Sequence, residues 1–353
     1  YNFLFFKRLL REIRNPTSPK IIKIKNLIKF SSSFKKIKLL EIKAVCDFEL
    51  TGYTYNFSEF LVQLNKYIFE NKIEKFELIL VPPFQDTLKF RSEYYDKKLI
   101  ARSGKDKNEI NWRIFNIILP LIYCSTFQPN KITVLQNRKD LNSIHLEHTF
   151  PEGYSHKNPK INNINDLYLN TFSIKDIGLR ASSIGKEFID SYFKNKNLNP
   201  NKIISLNIRD QIFDPKRNTD KKELLKFAKY LKKKEYIPLI IPDTNQMWED
   251  DELFQEFNIS HEISCSVSLR IALYERVMLN IFVPNGVTTL AYLNDNVNFI
   301  FFKAGYIEGS VVHTKDQWLI EGNFPFSNEK QILAYKEDSF ENLKDEFEAF
   351  LKI

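Results

Sequence analysis

The stretch Ile203-Ile204-Ser205-Leu206-Asn207-Ile208 runs directly into Arg209-Asp210, and Tyr236-Ile237-Pro238-Leu239-Ile240-Ile241 runs into Pro242-Asp243-Thr244-Asn245. Between these two apolar runs, residues 220–233 repeat apolar positions at helical spacing behind Thr219-Asp220, a good helix cap. Strand, amphipathic helix, strand is the mark of a parallel β-α-β unit, and an unbroken Leu239-Ile240-Ile241 suits a strand covered on both faces. Outward from this unit the alternation continues. Residues 263–266 read as a short third strand, 267–278 as a helix, 280–283 as a fourth strand, 288–293 as a short helix and 298–302 as a fifth strand. A last helix over 338–352 carries Phe340, Leu343, Phe347, Phe350 and Leu351 on one side.

The first half has the same rhythm at lower contrast. A strand over 37–45 ends in Cys46-Asp47-Phe48-Glu49, a helix follows over 58–70, and a strand over 76–81 stops at Pro82-Pro83. A helix over 108–123 and a strand over 131–135 complete it, before an irregular stretch over 148–177. A helix over 181–194 then leads to Asn197-Leu198-Asn199-Pro200-Asn201, the best linker in the chain. The expected fold is α/β, with two Rossmann-like parallel-sheet domains: 1–196, 197–335, and a C-terminal helix over 336–353 packing across onto the first domain.

With 353 residues, 43% hydrophobic and 27% charged, the chain has ample core for two domains. Its formal charge of +8 gathers most densely near the N-terminus, at Lys7, Arg8, Arg11 and Arg14 and again at Lys20, Lys23, Lys25, Lys29, Lys35 and Lys36. Phe3, Leu4, Phe5, Phe6, Leu9 and Leu10 interleave with the first of these, so the segment reads either as a basic amphipathic helix for a membrane surface or as a surface helix of the first domain. No apolar run is long enough to span a bilayer. Three widely spaced cysteines, Cys46, Cys124 and Cys265, read as free buried thiols of a reducing compartment, and a cytoplasmic location is expected.

Ligands of open parallel sheets bind beyond the carboxyl ends of the strands. There the second half offers Arg209, then Arg217-Asn218; Asp243-Thr244; Asn285-Gly286 followed by Thr288-Thr289; and Lys303. Arg209 or Arg217 suits a bidentate grip on phosphate, and the Asn285-Gly286 turn into a helix start suits backbone approach to an anion. Asp243, or Glu275 in the preceding helix, suits ribose hydroxyls. Arg270 and Tyr274, four residues apart beside Glu275, either face the same cleft or pack in the core. In the first half Asp47, Glu49 and Asp86 stand after strands, where a carboxylate can take a proton from an acceptor hydroxyl. His145, Glu147 and His148 lack the spacing of a zinc site, and no metal is expected. Walker, Gly-x-Gly-x-x-Gly and Gly-x-Ser-x-Gly motifs are missing from the sequence.

Several short stretches resemble the GT-B glycosyltransferases found with bacterial surface-polysaccharide genes. They are Cys46-Asp47-Phe48-Glu49 with Tyr55-Asn56-Phe57, Val81-Pro82-Pro83 with Asp86 and Phe90-Arg91, and Gly178-Leu179-Arg180-Ala181-Ser182. The likeness continues through Arg209-Asp210 to Arg217-Asn218, Ile241-Pro242-Asp243-Thr244 and the segment ending in Asn285-Gly286. The resemblance implies a nucleotide-sugar donor held by the second domain and a glycan or lipid-linked acceptor held by the first, across a cleft. It also implies no obligatory metal or other cofactor, since basic side chains neutralise the leaving diphosphate. Two better-known signatures are absent: the paired Glu element of many retaining enzymes, and the Asp-Ser-Gly of heptosyltransferases, whose place Pro284-Asn285-Gly286 takes. The expected activity is sugar transfer. A nucleotide-sugar epimerase and a non-catalytic binding protein with a degenerate pocket are the alternatives, and nucleic acid is not an expected partner.

Overall fold

The computed structural model describes residues 41–83, 107–155, 157, 159–160, 172–211, 214–249, 251–305 and 322–353. Asp86, Phe90-Arg91 and the basic segment before residue 41 lie outside the described residues. In chain order the elements of the first half are β1 (Glu41–Asp47), α1 (Phe48–Thr51), α2 (Phe57–Asn71), β2 (Lys75–Val81), α3 (Lys107–Arg113), α4 (Leu119–Tyr123), β3 (Lys131–Val134) and β4 (Thr149–Phe150). A π-turn over Ile114–Ile118 joins α3 to α4. Next come α5 (Ser183–Asn195), β5 (Ile203–Asn207), α6 (Lys221–Lys233), β6 (Ile237–Ile241), β7 (Asn258–Ile259) and α7 (His261–Ser264). The chain closes with α8 (Val267–Arg276), β8 (Leu279–Phe282), α9 (Thr289–Tyr292), β9 (Phe299–Phe301), β10 (Gln331–Leu333) and α10 (Phe340–Phe350).

Every pairing between these strands is parallel. The first sheet runs β3-β2-β1-β4 and the second β10-β9-β8-β5-β6-β7. The second order is that of a doubly wound Rossmann sheet, reversing direction between β5 and β8. Period-two alternation explains how both faces are covered. Ile203, Leu239, Ile241, Phe282 and Phe299 point to the face packed by α8, while Ile204, Leu206, Ile240, Ile281 and Ile300 point to the face packed by α6 and α10. In the first sheet Ile42, Ala44, Leu78 and Leu80 share one core, and Val45, Ile79 and Val81 join Leu141 and Tyr154 on the other face.

The two expected parallel-sheet halves are present, with three differences in detail. The third strand of the second sheet is Asn258–Ile259, because after an extended Ser260 the chain coils into α7 over 261–264; the expected strand at 263–266 is helical at its start. Helix α5, expected in the first domain, packs on α8 of the second: Gly185 lies so close to Ser268 and Ala272 that a Cβ would stand 3.2 Å from the Ser268 carbonyl. Arg276 on α8 pairs with Asp190 on α5 at 2.8 Å. Helix α10 does not cross back. Its Phe347 stacks edge-on against Phe227 and Tyr236, and Leu343 and Phe350 join the same cluster of the second half. The apolar stripe of α10 found a ready sheet face beside it, left bare by α6.

Among the described residues the chain therefore passes between the halves once, through 177–182. That segment is fixed on both sides. Asn65 donates to the Ile177 carbonyl, and the Arg180 amide donates to Cys124 O; the Leu179 amide donates to Leu293 O, and the Ala181 amide to Glu275 Oε1.

One charged residue ties the first sheet together. Glu77 on β2 accepts from Lys43 on β1 at 2.7 Å and from Thr133 on β3 at 2.6 Å, and pairs with Lys131 at 2.8 Å. Burial works to raise its pKa, but the hydrogen bonds from Lys131, Lys43 and Thr133 outweigh it and hold the carboxyl down at about 2. A depressed carboxylate stabilises the fold above its ordinary pKa and loses that contribution as pH falls through its folded value. In Glu77→Gln, urea unfolding followed as a function of pH is expected to show a shallower loss of stability between pH 4.5 and about 2. Phe347→Ala, which empties a fully buried site, is expected to cost about 3–5 kcal/mol in the same assay.

Candidate active site

The carboxyl ends of β5, β6, β8 and β9 meet on one edge of the second sheet. Asp243, directly after β6, accepts the Asp210 amide at 3.0 Å and the Gln211 side-chain amide, so the loops after β5 and β6 are joined. Arg209 is 2% exposed and turns inward, donating to Asp214 O at 2.9 Å and to the Asn218 side chain. Lys303, in the left-handed region at φ 53°, donates to Asn218 O at 2.8 Å and pairs with Asp338 at 2.7 Å. Arg217 pairs with Asp214 at 2.9 Å. Arg209, Asn218, Asp243 and Lys303 thus share one edge, where Arg209 and Lys303 hold the 214–218 loop and Asp243 holds residues 210–211.

The densest polar construction lies behind that edge. Ser205 and Asn207 on β5 and Asn280 on β8, all buried, face α8. Ser205 donates to Asn280 Oδ1 at 2.6 Å, Asn207 donates to Ser205 Oγ at 3.0 Å, and Tyr274 donates to Asn207 Oδ1 at 2.7 Å. Arg270 then donates to Tyr274 Oη at 3.2 Å. Its remaining hydrogen bonds go to Ser264 O and Oγ, both at 2.9 Å, to Pro242 O at 3.2 Å and to Thr244 Oγ1 at 3.4 Å. No carboxylate lies within ion-pair distance of Arg270 among the described residues. Burial disfavours its charge, but Tyr274, Tyr55 and Asp243 outweigh burial and keep its pKa above the ordinary value. The guanidinium anchors both sides of the loop that carries Asp243.

The first half reaches this edge through Tyr55. A Cβ on Gly286 would stand 2.8 Å from Tyr55 Cδ2, so glycine is required there by the approach of the first half. The expected opening toward a ligand is filled by this ring. Burial pushes the Tyr55 hydroxyl up to about 12, with Arg270 pulling the other way. The Asn285-Gly286 turn leads into a short 3₁₀ turn instead of directly into a long helix. Gly286–Thr288 is a 3₁₀ turn, α9 has only four residues, and the hydroxyls of Thr288 and Thr289 donate to Val283 O and Gly286 O. Nearby, Tyr292 donates to Glu59 at 3.0 Å across the same seam.

At the carboxyl edge of the first sheet Asp47 is 2% exposed and fully engaged. Arg138, just past β3, grips it with both Nη atoms, Nη1 at 2.7 Å; Tyr154 donates to Oδ2 at 2.6 Å, and the Glu49 amide caps Oδ1 at 3.1 Å. Burial opposes the Arg138 charge, yet Asp47 outweighs it and raises the pKa; burial and Asp47 together raise that of Tyr154. Four donors thus occupy the one carboxylate. Glu49, 8% exposed, lies in the field of the same arginine.

A cavity of about 410 Å³ opens between the ends of β5, β6 and β7, with Asp243, Lys221, Gln246 and Asp251 in its wall over a floor of Ile208, Ile240 and Ile259. Lys221 pairs with Asp210 at 2.6 Å and Asp251 at 2.9 Å, so the lining is predominantly acidic and hydroxyl-accepting. Glu275 does not reach this edge. Its carboxylate is taken by the Ala181 amide, Asn294 and Lys186, because a five-residue step along α8 turns it away from Arg270. His145 and Glu147 form an exposed pair at 3.1 Å, and among the described residues no group of three or more His, Cys, Asp or Glu is placed to hold a metal ion.

Arg138, Tyr154 and Tyr55 were not legible as site residues. The first two follow irregular sequence with no strand-end signal, although Tyr55 lies inside a stretch already quoted for its resemblance. No protein-family model matches the chain, and no curated protein matches it. Among solved structures the chain is similar to a glycosyl transferase of family 9 from Veillonella parvula DSM 2008, at 9% identity over 90% of this chain and 99% of that one, with a TM-score of 0.49. It is also similar to the ADP-heptose LPS heptosyltransferase II of E. coli, at 10% identity over 88% and 98%, with a TM-score of 0.47.

Gly286→Ala is expected to destabilise the protein by about 1–3 kcal/mol through the clash with Tyr55. Tyr55→Ala in the same chain should relieve most of that increment, and a double-mutant cycle in urea unfolding reads the coupling.

Proposed function

We propose that the protein is a glycosyltransferase that moves a sugar from a nucleotide-sugar donor to a glycan or lipid-linked acceptor in the assembly of a surface polysaccharide. The observation that carries this reading is the cavity beside Asp243, at the carboxyl edge of a doubly wound sheet and next to the seam where Tyr55 of the first half arrives. Its carboxylates suit the hydroxyls of a ribose or sugar. The diphosphate belongs outside that acidic wall, toward Arg209, Asn218, Arg217 and Lys303, with Arg270 adding positive potential from behind. Electrostatic neutralisation of the leaving group by these cations needs no metal.

On the acceptor side, the attacking hydroxyl forms a bond to the anomeric carbon as the bond from that carbon to the diphosphate breaks. The hydroxyl proton passes to a first-half carboxylate. Asp47, gripped by Arg138 and Tyr154, serves as scaffold, which leaves Glu49 or Asp86 for that task.

A nucleoside diphosphate at 100 times its dissociation constant adds about 2.7 kcal/mol of stability, and at least one is expected to raise the melting temperature by several degrees. Asp243→Asn, which preserves shape, should weaken the same ligand about tenfold or more. Failure of every nucleoside diphosphate to shift the wild type, or an unchanged shift in Asp243→Asn, would remove this assignment. Turnover of a nucleotide sugar without acceptor would place the protein with the epimerases instead.

A further inference from the structure

The cavity beside Asp243 has two chemical layers. Its floor is apolar. Ile240 on β6 and Ile259 on β7 are register partners, and Ile208 lies two residues beyond Leu206, the partner of Ile240 on β5. The three side chains therefore come from neighbouring strands. With strands about 4.8 Å apart they make an apolar strip roughly 10 Å across, wide enough for a fused bicyclic ring and poor surroundings for a polyhydroxylated one. A volume of about 410 Å³ leaves room for a ribose beyond such a ring.

The wall above this floor consists mainly of acceptors. Asp243, Glu249, Asp251 and Glu252 line it, against the single ammonium of Lys221. Two of these carboxylates are engaged. Asp243 accepts from the loop after β5, and Asp251 takes Lys221 at 2.9 Å and the Leu253 amide at 3.1 Å. Glu249 and Glu252 are exposed, and their carboxylates have no hydrogen-bond or ion-pair partner among the described residues. An ammonium has three N–H donors. Asp210 and Asp251 take two from Lys221, which leaves one for a carbonyl.

A base that suits this wall presents adjacent donors to the rim and few carbonyls. Guanine does so: N1–H and the N2 amine lie side by side, matched to the two oxygens of one carboxylate, with a single carbonyl, O6, next to them. Adenine and cytosine set one amine beside a ring-nitrogen acceptor, and uracil flanks one N–H with two carbonyls. Each of these turns a lone pair toward a carboxylate, where no hydrogen bond can form. We propose that the cavity is a guanine site, the base lying on Ile208, Ile240 and Ile259 with N1–H and the N2 amine donated to Glu249 or Glu252 and O6 facing Lys221. The inference rests on the donor reading above and narrows the donor to a guanosine diphosphate sugar.

Calorimetric titration of the full chain with the diphosphates of guanosine, inosine, adenosine, cytidine and uridine tests it. Guanosine diphosphate is expected to bind tightest, about tenfold or more ahead of inosine diphosphate, which differs only in lacking the N2 amine. The other three should trail by at least as much. In a Glu249→Ala and Glu252→Ala double variant the advantage of guanosine over inosine should largely disappear. The unfolding midpoint should stay unchanged, since both side chains are exposed. Equal affinity for the guanosine and inosine compounds, another base ahead of guanine, or an advantage untouched by the double variant would overturn the guanine assignment and leave the donor reading standing. Binding of none of the five would sink both.

Discussion

Arg270 keeps a positive charge inside the second half with no carboxylate in ion-pair reach among the described residues, and much of the surrounding structure exists to make that tolerable. Removing an unpaired ion from water costs several kcal/mol even after relaxation. Five neutral acceptors, drawn from Ser264, Pro242, Thr244 and Tyr274, replace its hydration. They also fix geometry. Pro242 and Thr244 flank Asp243, and Tyr274 leads through Asn207 and Ser205 to Asn280, so the loop at the end of β6 is referenced to the centre of the sheet. One side of the cavity wall is thereby tied through hydrogen bonds to the central strands.

The first half solves a related problem differently. There the buried arginine, Arg138, has its carboxylate, and Asp47 is saturated by it, by Tyr154 and by a backbone amide. A pair of this kind is a good anchor: it locks the turn after β1 to the segment after β3. Arg138 meets a carboxylate, whereas Arg270 in the second half is surrounded by neutral acceptors.

The architecture was legible because apolar runs and amphipathic helices alternate with little ambiguity, and Asp220, Leu224, Phe227 and Leu231 behave as their spacing demands. The short edge strands were not. Asn258–Ile259 and Gln331–Leu333 are too brief to carry periodicity and exist because a neighbouring strand offers hydrogen bonds. The same logic governs the site. Strand-end positions of Arg209, Asp243 and Lys303 could be read, yet the use of Arg209 on Asn218 depends on how the 214–218 loop folds. Glu275 differs from Arg270 by helical phase, which separates them only once α5 is known to pack on α8. Gly286 carried the right signal for close approach, but its neighbour is a tyrosine from a distant part of the chain.

Among the described residues the chain passes between the halves once, and that joint is held on both sides. A joint of this sort normally invites swinging, yet 177–182 is riveted to Asn65 and Cys124 on one side and to Leu293 and Glu275 on the other. Rotation about it would break hydrogen bonds on whichever side gave way. The joint is therefore built as a splice rather than a pivot.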